Sequence, residues 1–599
     1  MATIDIIVPV YAGYSETRAC LESVLAAPTS APYRLLVIND ASPEPDLVAY
    51  LRRLSEENAG VVYMENETNL GFVGTVNRGL AEGADNDLVI LNSDTEVAGD
   101  WLGRLFQTAY CRTEIGTVTP FSNNATICSF PECCESNELP EGRSVQEVDA
   151  AFAAANWGRW YEIPTGVGFC MYLKRSCVDS VGLLDEKTFG RGYGEENDFC
   201  RRAVEKGWVN ALAADVFVYH AGSVSFGEEK EALAEAALRT LERLHPDYLR
   251  EVHRFIALDP PQAARIRAWL ELLRASRLPN MLMVSHGIGG GTGKHVYELA
   301  DAVSGQANVL VLESTPADSA NLYLPGEKRW ERLEFDLPAD YEDLIILLRY
   351  LEVGSIHFHH LQDVHPCVIQ APSDLGVRYD ITLHDYYFIN ANPTLADADG
   401  NFCGGHADFD DCCATARPIP QGLTPTEWRE RNQRFLSGAR RVIAPSQYAL
   451  DIHREFFSIG NGLVVPHPDW NNDYPYPSPV PAERVNGGGR KPTVLVVGAL
   501  NKEKGADVLE AVARASRKRG DEIEFHLLGY AYRPLASAVI QHGPYADEDV
   551  DCLIEQIEPD IIWFPALWPE TYSYTLSAAF PARRPIIARA LGASAERVA

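Results

Sequence analysis

Long apolar runs are the clearest lack in this chain. None approaches the ~20 residues that a membrane-spanning helix needs. The start, "MATIDIIVPVYAG", has neither a basic n-region nor a small-residue cleavage site, so the sequence predicts a soluble intracellular protein. Positive charge is scarce too. There are 52 Lys and Arg against 84 Asp and Glu, a formal net charge of -32. That balance argues against a nucleic-acid binder, whose affinity would rest on clustered cations, but it leaves room for one local basic patch at a membrane surface. A cysteine framework is also missing. The 13 cysteines are odd in number and scattered, as reduced cytosolic thiols are. "CGGHADFDDCC" (403–413) matches no standard zinc spacing and reads as loop thiols.

What is present is ordinary globular protein in quantity. A chain of 599 residues is too long for one core, so two to four domains are expected. In the first 225 residues or so, short β-rich runs ("IDIIVPV", "RLLVIND", "DLVILN") alternate with amphipathic segments such as the one carrying Cys20, Leu21, Val24 and Leu25. The alternation predicts a mostly parallel sheet covered on both faces. A charged helical stretch follows, then "DPPQAARIRAWLELLRASRLPN", a connecting helix punctuated by Pro260, Pro261 and Pro279. From 281 the pattern restarts in two further series, separated by the loop "NGGGRK" (486–491). The last series stops at "GASAERVA" without a closing helix, which reads as an incomplete half.

In such sheets ligands bind beyond the carboxyl ends of the strands. Asp40 and Asp94 both fall at such ends, as turn or cap residues or as ligands. Asp94 follows the buried run "DLVIL" within "NSDTE", where a carboxylate can grip Mg2+ or Mn2+. "GRGYGEENDFCRR" (190–202) crowds Glu195, Glu196 and Asp198 together. Crowded carboxylates raise one another's pKa, which suits a general base, although acidic clusters are also common on solvated faces. His220 follows another strand, as a further metal ligand or an ordinary polar side chain.

Six ordered motifs, "IIVPVYAGYSETRACLESVL", "LLVINDAS", "NLGFVGTVNRGL", "VILNSDTEV", "GYGEENDFCRRA" and "VYHAGS", together resemble glycosyltransferase family 2, the inverting enzymes of GT-A fold, over roughly residues 1–226. The resemblance implies a nucleotide-sugar site containing Pro9, Asp40, Asn69, Asn92 and Asp94, with Asp40 toward a pyrimidine NH. Asp94, aided by His220, would hold Mn2+ or Mg2+, and Asn92 replaces the first Asp of the family's Asp-X-Asp. Glu196 would be the catalytic base, with Glu195 its rival. Donors would be UDP- or dTDP-linked sugars and the acceptor a glycan or lipid-linked glycan, with peripheral association at the inner face of the cell membrane.

The second half invites a P-loop reading at "HGIGGGTGKHVYELA", which fails because Ile288 stands where the first glycine belongs and His295 replaces Ser/Thr. In "SIHFHHLQDVHP", His357 and His359 share a strand face without a carboxylate-rich pattern, and are read as strand-end packing and substrate contacts. The segments "GGGTGKHVYELA", "ITLHDYYFINANPTLADADGNFC", "RVIAPSQYA", "VGALNKEKGADVL" and "PETYSYTLSAAF" resemble glycosyltransferase family 4, retaining enzymes of GT-B fold, over roughly 280–599. Lys504 and Glu570 match that family's donor contacts. Its second Glu is replaced by Ala578, its basic residue by Ala499, and its Gly-Pro by Arg584-Pro585.

The α/β organisation expected is therefore a GT-A domain (1–255), a helical linker (256–279) and two Rossmann-like GT-B halves (280–485 and 486–599, the last incomplete). The function expected is a bifunctional-type glycosyltransferase of bacterial surface polysaccharide synthesis (O-antigen or capsule). The alternatives are a single-activity transferase whose second half is a degenerate acceptor platform, and a non-catalytic glycan-binding subunit.

Overall fold

The structure is a computed structural model that describes residues 3–83, 85–140, 142–190, 192–222, 230–315, 318–324, 332–404, 408–467 and 491–598. The chain divides into two compact units, Met1–Ser276 and Arg277–Ala599. The expected boundary at 485/486, most of the loop 486–491, and the end of "VYHAGSVSFG" from 223 lie outside the described residues.

The strands of the first unit are β1 (Ile4–Val10), β2 (Tyr33–Asn39), β3 (Val61–Glu65), β4 (Asp87–Leu91), β5 (Thr95–Glu96), β6 (Ile115–Phe121), β7 (Trp160–Glu162), β8 (Cys170–Leu173), β9 (Val209–Phe217) and β10 (Tyr219–His220). Eight of them form one sheet in the order β3-β2-β1-β4-β8-β6-β9-β7. The sheet is covered on both faces, and the alternation of its apolar residues shows it. Ile4, Ile6, Val8, Leu35, Val37, Val89 and Leu91 enter one core, while Ile7, Leu36, Ile38, Leu88 and Ile90 enter the other. With a side-chain period of two, a strand buried on both faces must be apolar throughout, as these are.

The half formed by β3, β2, β1 and β4 is parallel. The other half is mixed, because β8 runs antiparallel to both β4 and β6. The chain winds outward from β1 through β2 to β3, then returns to place β4 on the other side of β1. That reversal opens a crevice beyond the carboxyl ends of β1 and β4. The helix Gln262–Arg274, expected as part of a free linker, belongs to this unit's core. Ala264, Ala268 and Leu272 are buried there, and the Asn156 amide donates to the Ala264 carbonyl at 3.0 Å.

The second unit holds β11 (Asn280–His286), β12 (Asn308–Thr315), β13 (Ser319–Tyr323), β14 (Arg332–Asp336), β15 (Val353–Phe358), β16 (Arg378–Thr382), β17 (Arg441–Ala444), β18 (Gly462–Val464), β19 (Thr493–Val497), β20 (Glu524–Leu528), β21 (Val539–Gly543), β22 (Ile561–Phe564) and β23 (Ile586–Ala588). They form an eight-stranded sheet, β14-β13-β12-β11-β15-β16-β17-β18, and a five-stranded one, β21-β20-β19-β22-β23. Every pairing in the smaller sheet is parallel. In the larger sheet only the β12-β13-β14 edge is antiparallel.

Cysteine chemistry departs from the reduced state expected. Cys403 and Cys412 are joined by a disulfide, with Cα atoms 5.9 Å apart. The short helix Phe409–Ala414 folds the chain back and brings the two together. No helix among the described residues is long and apolar enough to cross a membrane.

Candidate active site

Three strand ends and one helix start converge on the crevice of the first unit. Pro9 is half-buried near the end of β1, in register with Ile38. The next residue's carbonyl, that of Val10, accepts from the Asp40 amide at 2.8 Å. Asp40 is 4% exposed, and its carboxylate organises the loop before the helix Gly71–Glu82. Its Oδ1 accepts from the Asn66 amide (2.8 Å) and Leu70 N (2.7 Å), and its Oδ2 from Gly71 N (2.9 Å). Asn69 Oδ1 also accepts from Gly71 N, at 3.0 Å. Gly71 adopts φ 75°, a left-handed conformation that suits glycine. Asp40 is therefore engaged chiefly in shaping this loop. Only Oδ2, with one bond, keeps acceptor capacity to spare for a base NH.

The second corner is built around β4. Beyond Leu91 the Asn92 amide donates to the Phe169 carbonyl at 2.8 Å, and the Asn92 carbonyl accepts from Thr95 Oγ1 at 2.7 Å. β5 then pairs antiparallel with β10, setting Thr95 opposite His220. Ala221 N donates to the Asp94 carbonyl at 3.0 Å. This clip brings His220 Nε2 to 3.5 Å from Asp94 Oδ1, both side chains 15% exposed. His220 Nδ1 lies 2.8 Å from the Asn124 carbonyl. A carbonyl can only accept, so Nδ1–H donates to it and Nε2 is the ring nitrogen that faces Asp94. Phe169 stacks on the imidazole at 5.3 Å and fixes its plane.

Burial alone would raise the Asp94 carboxyl. The His220 hydrogen bond and charge, with backbone amides including that of Gly222, outweigh it and hold the group below its ordinary value. Asn92 Oδ1, at the same strand end, is buried without a hydrogen-bond partner among the described residues. A carboxylate, the imidazole Nε2 that faces it and an unspent amide oxygen are donor atoms that fit Mn2+ or Mg2+ with phosphate or water oxygens completing the shell.

The third corner is the start of the helix Glu195–Glu205, entered through Gly194 at φ 92°. Glu195 is 3% exposed, with Oε2 unpartnered among the described residues. Glu196 lies against Gly168, where an added Cβ would stand 3.6 Å from its Cγ. Burial raises the Glu195 carboxyl well above the usual range, and the Glu196 charge pushes it further. Burial raises Glu196 as well, but backbone amides at the helix start, of Glu196, Gly194 and Asn197, favour its charged form. The helix-start amides thus favour the charged form of Glu196, while burial and the Glu196 charge both disfavour that of Glu195. Asp198, grouped with them in the sequence, is spent elsewhere. It holds Arg202 at 2.7 Å and His245 at 2.9 Å.

Sequence reasoning missed the segment 165–169, which joins two of these corners. Thr165 accepts from the Asn197 amide at 3.2 Å, Gly168 touches Glu196, and Phe169 holds both Asn92 and His220. The available signal was "TGVGF" directly before β8, small residues that admit a close neighbour.

In the second unit, Lys504 and Glu570 line one pocket with Gly498, Ala499 and Thr575. The Lys504 ammonium is 4.0 Å from Glu570 Oε1. Gly505 sits at φ 85°, and a Cβ there would lie 2.4 Å from the Pro565 carbonyl oxygen, so only glycine fits after Lys504.

Residues 5–128 match the family model described as glycosyl transferase family 2. That span contains Pro9, Asp40, Asn69, Asn92 and Asp94 and stops short of Glu195, Glu196 and His220. The chain is 22% identical over 242 residues to the uncharacterized protein y4gI of Sinorhizobium fredii, covering 39% of this chain and 26% of that protein. It is 28% identical over 188 residues to the uncharacterized protein Rv1525 of Mycobacterium tuberculosis, covering 30% of this chain and 66% of that one. Among solved structures it is similar to GalNAc-T7 with UDP, GalNAc and Mn2+, at TM-score 0.33 and 13% identity, over 56% of this chain and 67% of that one. It is also similar to the mannosyltransferase PcManGT from Pyrobaculum calidifontis in complex with GDP-Man and Mn2+, at TM-score 0.31 and 14% identity, over 50% and 80% of the two chains. The match to the glycosyl transferase family 2 model therefore lies wholly within the first unit, over the strands that build the crevice.

Proposed function

We propose that the first unit transfers a sugar from a UDP- or dTDP-linked donor to a hydroxyl of a glycan or lipid-linked glycan, with inversion at the anomeric carbon. The observation that carries this reading is the Asp94–His220 pair, with His220 Nδ1 locked on the Asn124 carbonyl and Nε2 presented beside the carboxylate. Asp94 and His220, with Asn92 at the same strand end, would hold Mn2+ or Mg2+. When bound, the cation would neutralise charge on the departing diphosphate.

Pro9, Asp40 and Asn69 border the base and ribose end of the crevice, with Asp40 setting the loop 66–71 and offering Oδ2. Glu196 accepts the acceptor hydroxyl's proton as that oxygen forms its bond to the anomeric carbon. The bond from that carbon to the diphosphate oxygen breaks in the same step, and the nucleoside diphosphate leaves with the electron pair. Burial and the Glu196 charge both disfavour a second negative charge on Glu195 where the acceptor binds. A single in-line displacement inverts the configuration.

The second unit is proposed as a GT-B-type module, supported by its two largely parallel sheets and by Lys504 and Glu570 meeting at one pocket. Lys504 would pair with a donor diphosphate there. The losses at Ala578 and Ala499 favour an alternative in which this unit chiefly holds the growing polymer. The product proposed is a bacterial surface polysaccharide, made at the inner face of the membrane. Release of nucleotide from a panel of UDP-, dTDP- and GDP-sugars, with Mn2+, Mg2+ or EDTA, tests the reading. Metal-dependent release lost in Asp94→Ala supports it, and no release with no donor binding removes it.

A further inference from the structure

The second unit gathers three histidines that are remote in sequence. His295 lies on the helix Gly290–Ala302, His359 directly follows β15, and His384 stands two residues beyond β16. β15 and β16 are parallel neighbours, so His359 and His384 emerge at the same edge of the sheet. Each ring offers one nitrogen to a common point, and the three nitrogens lie within 4.8 Å of one another.

Two features set this cluster apart from ordinary packing. His359 Nδ1 and His384 Nε2 are 3.1 Å apart. Two nitrogens bound tetrahedrally to one zinc at about 2.0–2.1 Å would stand roughly 3.3 Å apart, so this spacing, which serves an N–H···N hydrogen bond between the two rings, is also close to a coordination edge. In addition, His295 Nδ1 is buried without a hydrogen-bond partner among the described residues. Buried polar atoms are nearly always paired, and an orphan in a native core marks a redox or catalytic role or an unseen water or ion.

The neighbouring histidines do have partners. His357 Nε2 is 2.8 Å from Thr382 Oγ1, as the packing expectation had it. His360 Nε2 is 2.9 Å from Asp385. His357 is thus engaged with Thr382, whereas His359 faces His384.

We infer that the second unit binds one zinc ion through His295, His359 and His384. An all-imidazole donor set with no carboxylate suits zinc-like transition ions and not Mg2+ or Ca2+, which require oxygen. Three protein ligands leave a fourth position for water or an oxygen ligand. Burial keeps all three rings in the neutral form that coordination needs, pushing His295 down to about 4 and the other two well below their ordinary value. The ring of His467 packs on His295 at 3.9 Å and closes one flank. Thr571, beside Glu570, hydrogen-bonds the His384 carbonyl, so the ion would share a wall with the Lys504–Glu570 pocket. The site is separate from the Asp94 corner and does not depend on the reaction proposed there.

The test uses the untagged full-length chain, reconstituted with Zn2+ and dialysed against a weak chelator, with metal measured by mass spectrometry. The wild type and Asp94→Ala are expected to retain one zinc per chain. His295→Ala and His384→Ala should bind it at least about tenfold more weakly. Co2+ in place of Zn2+ should give intense tetrahedral d–d bands in the wild type, a readout that needs no variant to fold. X-ray absorption should count three imidazole nitrogens. Absence of retained zinc together with absence of Co2+ bands would overturn the inference, as would zinc binding unchanged in both histidine variants.

Discussion

His220 presents Nε2 3.5 Å from the Asp94 carboxylate while its other ring nitrogen is held by the Asn124 carbonyl. A pair so arranged is pre-set to share a cation, and its worth should show as metal affinity. His220→Ala is expected to raise the Mn2+ concentration needed for half-maximal donor turnover by about 10–100-fold, the range seen when the groups supporting a metal are removed. A Mn2+ titration of nucleotide release checks it. An unchanged midpoint would assign His220 to packing on Phe169.

Buried Glu195 and half-buried Glu196 separate by environment. Glu196→Gln should lower turnover by roughly 10²–10⁴-fold, the usual contribution of a positioned acid or base, with donor affinity retained. Glu195→Gln should cost less than about tenfold, because burial and the Glu196 charge disfavour the ionised form of that carboxyl. Burial raises Glu196, so its active, ionised form is lost as pH falls through a value above the ordinary carboxylate range. The rate should therefore rise with pH through an apparent pKa above that range. A profile flat down to the ordinary carboxylate region would show the base is not buried as described.

Much of this corner was legible in sequence, and the reason is locality. Near-continuous apolar runs mark β1, β2 and β4, and the polar breaks after β2 and β4 mark where Asp40 and Asp94 stand. The Asp94–His220 contact was not legible as geometry. It depends on two-residue strands, β5 and β10, that are distant in the chain and too short to leave a periodic signal. Asp198 looked like a third catalytic carboxylate because its partner His245 is also far away, although Arg202 four residues on was a visible hint. The imidazole cluster was hidden for the same reason, since His295 and His384 come to His359 only through the folded sheet. The helix Gln262–Arg274 read as a connector because its prolines punctuate it, while its small buried face of Ala264 and Ala268 gave little apolar contrast.

Inside the first unit, Arg104 and Asp149 form an ion pair at 2.6 Å with both side chains 3% exposed. Asp149→Ala would leave a buried guanidinium charge without its carboxylate, at a cost of about 3–5 kcal/mol. Denaturant unfolding should show that loss, and pairing the change with Arg104→Met should recover a large part of it.

The disulfide is open to direct counting. Of 13 cysteines, Cys403 and Cys412 are bonded and the remainder are free thiols. Thiol titration in denaturant without reductant should find 11, rising to 13 after reduction. Finding 13 free thiols in a protein purified without reductant would restore the reduced reading.

The central claim is that the first unit is a metal-dependent sugar transferase working through Asp94 and Glu196. Its most direct measurement is release of nucleotide from UDP- and dTDP-sugars by the whole chain, with Mn2+ or EDTA, beside Asp94→Ala and Glu196→Gln. Release that requires the metal, vanishes in Asp94→Ala and falls steeply in Glu196→Gln is the predicted result. Release that persists in EDTA and in both variants, or no release and no donor binding under any condition, would contradict it.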